Sequence, residues 1–177
     1  MSNLKELTME HHRSAERCGF VKVLLGGNIE PTLYGVFLLN QYHKYSALEQ
    51  LALERGLLVG IESIQRADKI LADATELLLH NNIDLLQSTS EYISHVQTLN
   101  DHDLFAHIYV HHMGDLSGGQ MIKKRVPGAC TMYEFDGDVI ELKNEIRSRC
   151  KDSMAQEAKM CFEFAIKQFN EMSKLTA

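Results

Sequence analysis

Hydrophobic residues recur at three- and four-residue intervals along most of the chain, and strand-like alternation is nearly absent. This pattern predicts a first helix over Asn3 to Cys18, with Ser2 or Asn3 as its cap. Gly26, Gly27 and Asn28 mark a break, and Pro31 suits the first position of the next helix. That helix runs through Val36, Leu39, Tyr42 and Leu48 towards Arg55, and Gly56 and Gly60 mark its end. Further helices are expected over 61–80, 88–99 and 101–125. The polar stretch "CTMYEFDGD", Cys130 to Asp138, then sets off a long final helix. There Met154, Ala158, Cys161, Ala165, Phe169 and Met172 keep helical spacing. Long helices in one small chain must bury their apolar stripes against each other, so the predicted fold is an all-α bundle.

Composition narrows this only slightly. A length of 177 residues fits a single domain over 1–177. A net charge of -6 argues against nucleic acid as the main partner. The four cysteines form no C-x-x-C pair, which favours a reducing, cytoplasmic setting. The opening "MSNLKELTMEHH" is charged from Lys5 and does not read as a signal peptide. No apolar run approaches the roughly 18 residues that span a bilayer, so no membrane partner is expected. A monomer is the simplest expectation.

One stretch breaks the ordinary pattern. "YVHHMGDLSGGQMIKKRVPG", Tyr109 to Gly128, carries adjacent histidines and then Gly114, Gly118 and Gly119 around Asp115. Each mid-helix glycine costs about 0.5–1 kcal/mol relative to alanine. Two readings stay open on periodicity alone: a helix end at Gly118-Gly119, or a bent but continuous helix. His107, His111, Gly114, Asp115 and Gly118 share one stripe, and bare backbone on one stripe lets a flat ligand lie against it. A phosphate would be the obvious alternative, but no strand precedes the glycines, so neither nucleotide-binding loop has its context.

"YVHHMGDLSGGQMIKK" resembles the signature of the heme oxygenases, whose G-D-L-S-G-G-Q lies on a kinked distal helix over the heme. "LKELTMEHHRSAE", "QYHKYSALE", "LKNEIRSR" and "AKMCFEFAIKQFNE" are similar to other helices of that family. The resemblance implies heme b as substrate and cofactor, O2, and electrons from an external reductant. It implies oxidative cleavage to biliverdin (the IXα isomer), carbon monoxide and ferrous iron. Two other classes stay open: a heme carrier or sensor without turnover, and a thiamin-degrading enzyme on the same scaffold, which needs a cysteine nucleophile.

Nine histidines are many for this length. His43, His80, His95 and His102 are expected at the surface or in hydrogen bonds. His107 and His111, spaced i, i+4, could share a metal on one face. No E-x-x-H pair supports a di-iron carboxylate site. His11 and His12 point about 100° apart on a helix and cannot share a pocket. His11 falls on the stripe of Leu4, Leu7 and Cys18. His12 has Glu16 four residues on, where a carboxylate can hold the ring nitrogen that does not bind metal. The family pattern also falls on His12, which is the expected iron ligand.

By resemblance, Lys5, Tyr109, Lys143 and Arg147 are the expected propionate contacts, and Met9 stands where a family cation is missing. Asp115 is the expected manager of protons through ordered water, and Tyr45 belongs to the same network. His111 takes a position held by arginine in animal relatives. Gly114 and Gly118 shape the distal face, and Phe162 and Phe169 are expected to line the pocket. Lys123, Lys124 and Arg125 close the glycine helix, where they suit its negative end. The resemblance also implies them as a dock for a ferredoxin-type donor, and a downstream bilin reductase as a further partner.

Overall fold

The computed structural model describes residues 2–80 and 82–175, and every regular element among them is helical. The expected first helix is two pieces, α1 (Leu4–Leu7) and α2 (Met9–Glu16), and a further helix, α3 (Gly19–Leu25), comes after it. Thr8, buried between α1 and α2, turns its hydroxyl back to donate to the Leu4 carbonyl at 2.8 Å. Such back-bonding competes with regular helix geometry. Neither Ser2 nor Asn3 caps α1 with its side chain; the Asn3 backbone N–H instead donates to Asp152 Oδ1 at 2.6 Å. Cys18 is extended and α3 follows, an element the pattern did not predict, seated by buried Phe20 and Leu24.

α4 (Pro31–Glu54) begins as expected at Pro31, and Glu30 accepts from the N–H groups of Thr32 and Leu33 at 3.1 and 2.9 Å. Buried residues surround most of its circumference, so it is the central post of the bundle. A Cβ at Gly35 would come within 2.8 Å of Leu78, which is how the end of α5 approaches α4 so closely. The helix expected over 61–80 is shorter. A 3-10 turn covers Glu62–Ile64, and α5 spans Ala67–Leu77. Glu49 of α4 fixes this start, accepting the N–H groups of Arg66 at 2.7 Å and Ala67 at 3.0 Å. Those are orphan donors of a helix N-terminus, satisfied here by a different helix.

α6 (Gln87–Val96) and α7 (Asp101–Lys123) follow the expected spans within a few residues. Asn100 caps α7, accepting from Asp103 N–H at 2.8 Å. The helix runs unbroken through Gly118-Gly119, which decides between the two readings of the glycines. The predicted final helix is two: α8 (Val139–Ser148) and α9 (Ala155–Leu175), parted by a turn at Cys150 to Met154. Lys143 and Arg147 therefore lie on α8, not on the last helix.

Two apolar clusters fill the bundle. One gathers Leu48, Leu104, Ile108, Ile146 and Ala158; the other gathers Phe20, Tyr34, Phe37, Tyr133 and Met172. Phe169, expected at the pocket, packs instead against the second cluster, its ring 6.2 Å from Phe20 and 6.3 Å from Phe37. No described helix is long and apolar enough to cross a membrane.

Candidate functional site

A cleft of about 580 Å³ opens between α2 and α7, with α1, α8 and α9 at its margins. This size is in the range that holds small organic ligands and cofactors. His12 lines it from α2, and Gly114, Ser117 and Gly118 line it from α7. A Cβ added at Gly114 or Gly118 would meet nothing within 4 Å, so the space over both is open. At Gly119 the reverse holds, because a Cβ would run into the Tyr133 ring. One glycine thus serves packing and two leave room.

His12 Nε2 sits 2.8 Å from Glu16 Oε1, the i+4 pairing expected. The ring stacks on Phe162, with centroids 5.6 Å apart, and Phe162 also lines the cleft. His11 faces elsewhere, 3.5 Å from Glu163, and is not among the lining residues. Lys5, Tyr109 and Arg147 reach the cleft wall; Lys143, one turn before Arg147, does not, nor does Met9. Tyr109 keeps its hydroxyl proton more tightly than usual, chiefly through burial.

Behind the α7 wall lies a polar interior. Asp115 turns its carboxyl inward, and Tyr45 donates to its Oδ2 at 2.8 Å. Burial pushes the Asp115 carboxyl up to about 6, against the opposing pull of His112 and Tyr45. His111 shares this interior, its Nε2 lying 3.1 Å from Tyr92 Oη and 3.4 Å from Cys161 Sγ. Burial, reinforced by the charge of Lys44, holds His111 well below its ordinary value, so it stays neutral. The stripe read from the sequence therefore divides: Gly114 and Gly118 face the cleft, while His107, His111 and Asp115 belong to the interior.

The chain matches the family model described as heme oxygenase over residues 1–171. The chain belongs to the heme oxygenase family. Members are heme-degrading oxygenases, and the motif reading holds at that level. A heme oxygenase from Porphyra purpurea is 29% identical, the alignment covering 97% of this chain and 86% of that one. Heme oxygenase 2 from Macaca fascicularis is 28% identical, over 97% of this chain but 64% of the longer relative. Among solved structures, heme oxygenase-1 from the cyanobacterium Synechocystis in complex with heme superposes with a TM-score of 0.87 at 26% identity. It covers 97% of this chain and 90% of that one. The Leptospira interrogans heme oxygenase gives 0.85 at 26% identity, over 95% and 97% of the two chains.

Within this heme oxygenase fold, several polar residues escaped the sequence reading. Lys44 is 2% exposed, its Nζ donating to Gln168 Oε1 at 2.6 Å and lying 4.8 Å from the Tyr92 ring centre. Burial lowers it to about 8. His112 pairs with Glu49 at 2.7 Å, locking α7 to α4. Only the helical register of Lys44 and His112 among apolar neighbours hinted at burial. The cysteine alternative finds one candidate, since Cys150 lines the cleft. Burial pushes its thiol up to about 12 and it donates to the Ile146 carbonyl at 3.2 Å, so it is no nucleophile at neutral pH. The basic cluster is largely engaged: Lys123 pairs with Glu134 at 3.0 Å and Arg125 donates to the Leu25 carbonyl at 3.3 Å.

Proposed function

We propose that the chain binds heme b in the cleft and cleaves it with O2 and external electrons to biliverdin, carbon monoxide and ferrous iron. The observation that carries this reading is the opposition of His12 to open space over Gly114 and Gly118. The residues present fit the group. An imidazole backed by a carboxylate suits a ferrous or ferric centre, and Lys5 and Arg147 suit the two propionates. Bound heme would supply the iron at which O2 is activated.

The rest is the work of the chain. His12 would hold the iron from α2 through the ring nitrogen that Glu16 does not engage, and Glu16 fixes the ring and raises its basicity. Gly114 and Gly118 bring main chain against the opposite face and keep bulk water off it. Lys5, Tyr109 and Arg147 would hold the propionates at the cleft wall and so fix how the ligand is seated. Asp115 does not line the cleft, so it would exchange protons with a bound ligand through water. A carboxyl poised near 6 with Tyr45 as partner can hold and release a proton close to neutral pH. An acidic ferredoxin is the electron donor we favour, meeting the α7 end where Lys124 is exposed, in a cytoplasmic setting where a bilin reductase could take the product.

The test is heme loading without oxygen, followed by reduced ferredoxin or ascorbate and air. Biliverdin absorbance should rise as the Soret band falls. A stable Soret band under these conditions would favour a carrier.

A further inference from the structure

On the far side of α7 from the glycine wall, three side chains from three helices converge. His95 of α6, His107 of α7 and Glu157 of α9 bring their ligand atoms within 4.8 Å of one another. Both histidines direct Nε2 to the same carboxylate oxygen, Glu157 Oε1, at 2.5 Å and 2.8 Å. Among the described residues, no other three such side chains bring their ligand atoms together. We propose that His95, His107 and Glu157 form a second metal site, which takes a divalent first-row ion such as zinc, apart from the heme cleft.

The donor set supports this. Two imidazoles and one carboxylate suit borderline divalent ions and leave room for water in the remaining positions. Tetrahedral bonds of about 2.0–2.1 Å place ligand atoms roughly 3.3 Å apart. From 2.5 and 2.8 Å, Glu157 Oε1 must therefore draw back from the two nitrogens by roughly 0.8 and 0.5 Å, while the two nitrogens settle at the same spacing from each other. His95 can absorb that movement, since its side chain is 20% exposed and it is the outermost of the three. The same exposure gives an ion and its water a way in.

The support behind the ligands is also in place. A metal-bound histidine uses its second nitrogen to fix its tautomer. His107 Nδ1 lies 2.8 Å from Tyr92 Oη, so with Nε2 on a metal the Nδ1 proton is donated to Tyr92. Tyr92 then donates to His111 Nε2 at 3.1 Å, giving that chain one direction. His95 is held in orientation by the Phe164 ring, with centroids 5.1 Å apart. Binding displaces the protons now shared with Glu157 and ties α6, α7 and α9 at one point.

Zinc titration of the heme-free protein against a chromophoric chelator tests this, with zinc-edge anomalous diffraction from soaked crystals. The expected result is one site per chain, with density between His95 Nε2, His107 Nε2 and Glu157. Affinity should fall by about 10-fold or more in His95→Ala and in Glu157→Gln, and stay unchanged in His12→Ala, which removes the histidine–carboxylate pair of the heme cleft. Glu157 is buried, and if Glu157→Gln does not fold, His95→Ala decides alone. Equal zinc affinity in wild type and His95→Ala, absence of uptake, or density elsewhere would overturn the assignment.

Discussion

Tyr45 of α4 donates its hydroxyl to Asp115 of α7 at 2.8 Å, and this contact ties the central post of the bundle to the helix that walls the cleft. The carboxyl it reaches is turned away from water and lifted to about 6. An acid whose folded value is raised costs stability above that value, and the cost vanishes below its unfolded value near 4.

Asp115→Asn should therefore stabilise the chain at pH 7, by up to about 3 kcal/mol on the full shift and nearer 1–2 because the residue is partly exposed. The gain should shrink as pH falls from about 6 to 4, followed by urea unfolding across that range. Heme binding should survive while biliverdin output drops. A gain that does not change with pH would rule out the titration of Asp115 as its source.

The three glycines of α7 should respond in opposite ways. Gly114→Ala and Gly118→Ala enter open space and should raise stability by about 0.5–1 kcal/mol each through helix propensity. Both should weaken heme binding or slow its turnover. Gly119→Ala meets Tyr133 and should lower the melting temperature instead. Thermal melts and heme titrations read both effects, and a uniform response at all three positions would contradict the assignment.

His12→Ala should abolish the spectrum of histidine-ligated heme, and added imidazole should restore it in part. Glu16→Gln should keep the ligand but weaken it about 10-fold or more. His11→Ala should leave the spectrum as it is. If His11→Ala and His12→Ala exchanged these phenotypes, the iron ligand would be misassigned.

Lys44 is a buried cation whose nearest hydrogen-bond acceptor is neutral Gln168. Its folded value, lowered to about 8, means that the folded chain resists its charge. The cost is full below about pH 8 and is lost as pH rises towards the unfolded value near 10.5. Lys44→Met removes this dependence, though it strips Gln168 of a donor. The stability of Lys44→Met relative to wild type should fall by up to about 3 kcal/mol between pH 8 and 10.5. A constant difference across that range would show that folding does not lower the value of Lys44.

Local signals located much of this molecule. Pro31 marked the start of α4, and the Asp101–Lys123 span followed from its apolar stripe. Glu16 at i+4 separated His12 from its neighbour His11. What stayed hidden depends on distant partners. The break between α8 and α9 contains neither proline nor glycine; it coincides with a buried Cys150 and with Asp152 reaching Asn3, 149 residues away. Lys44 finds Gln168 across 124 residues, and no pattern within α4 announces it. Phe169 has the same spacing as a pocket residue, and only the positions of Phe20 and Phe37 assign it to the core.

Tyr133, the residue that presses on Gly119, is itself suspended. The Arg66 guanidinium grips the carbonyls on either side of it, Met132 at 3.0 Å and Glu134 at 2.8 Å. The cleft's backbone floor is thus braced from the rear by an arginine that never touches the ligand. Loosening that brace would let α7 sag away from His12 without altering a single lining side chain.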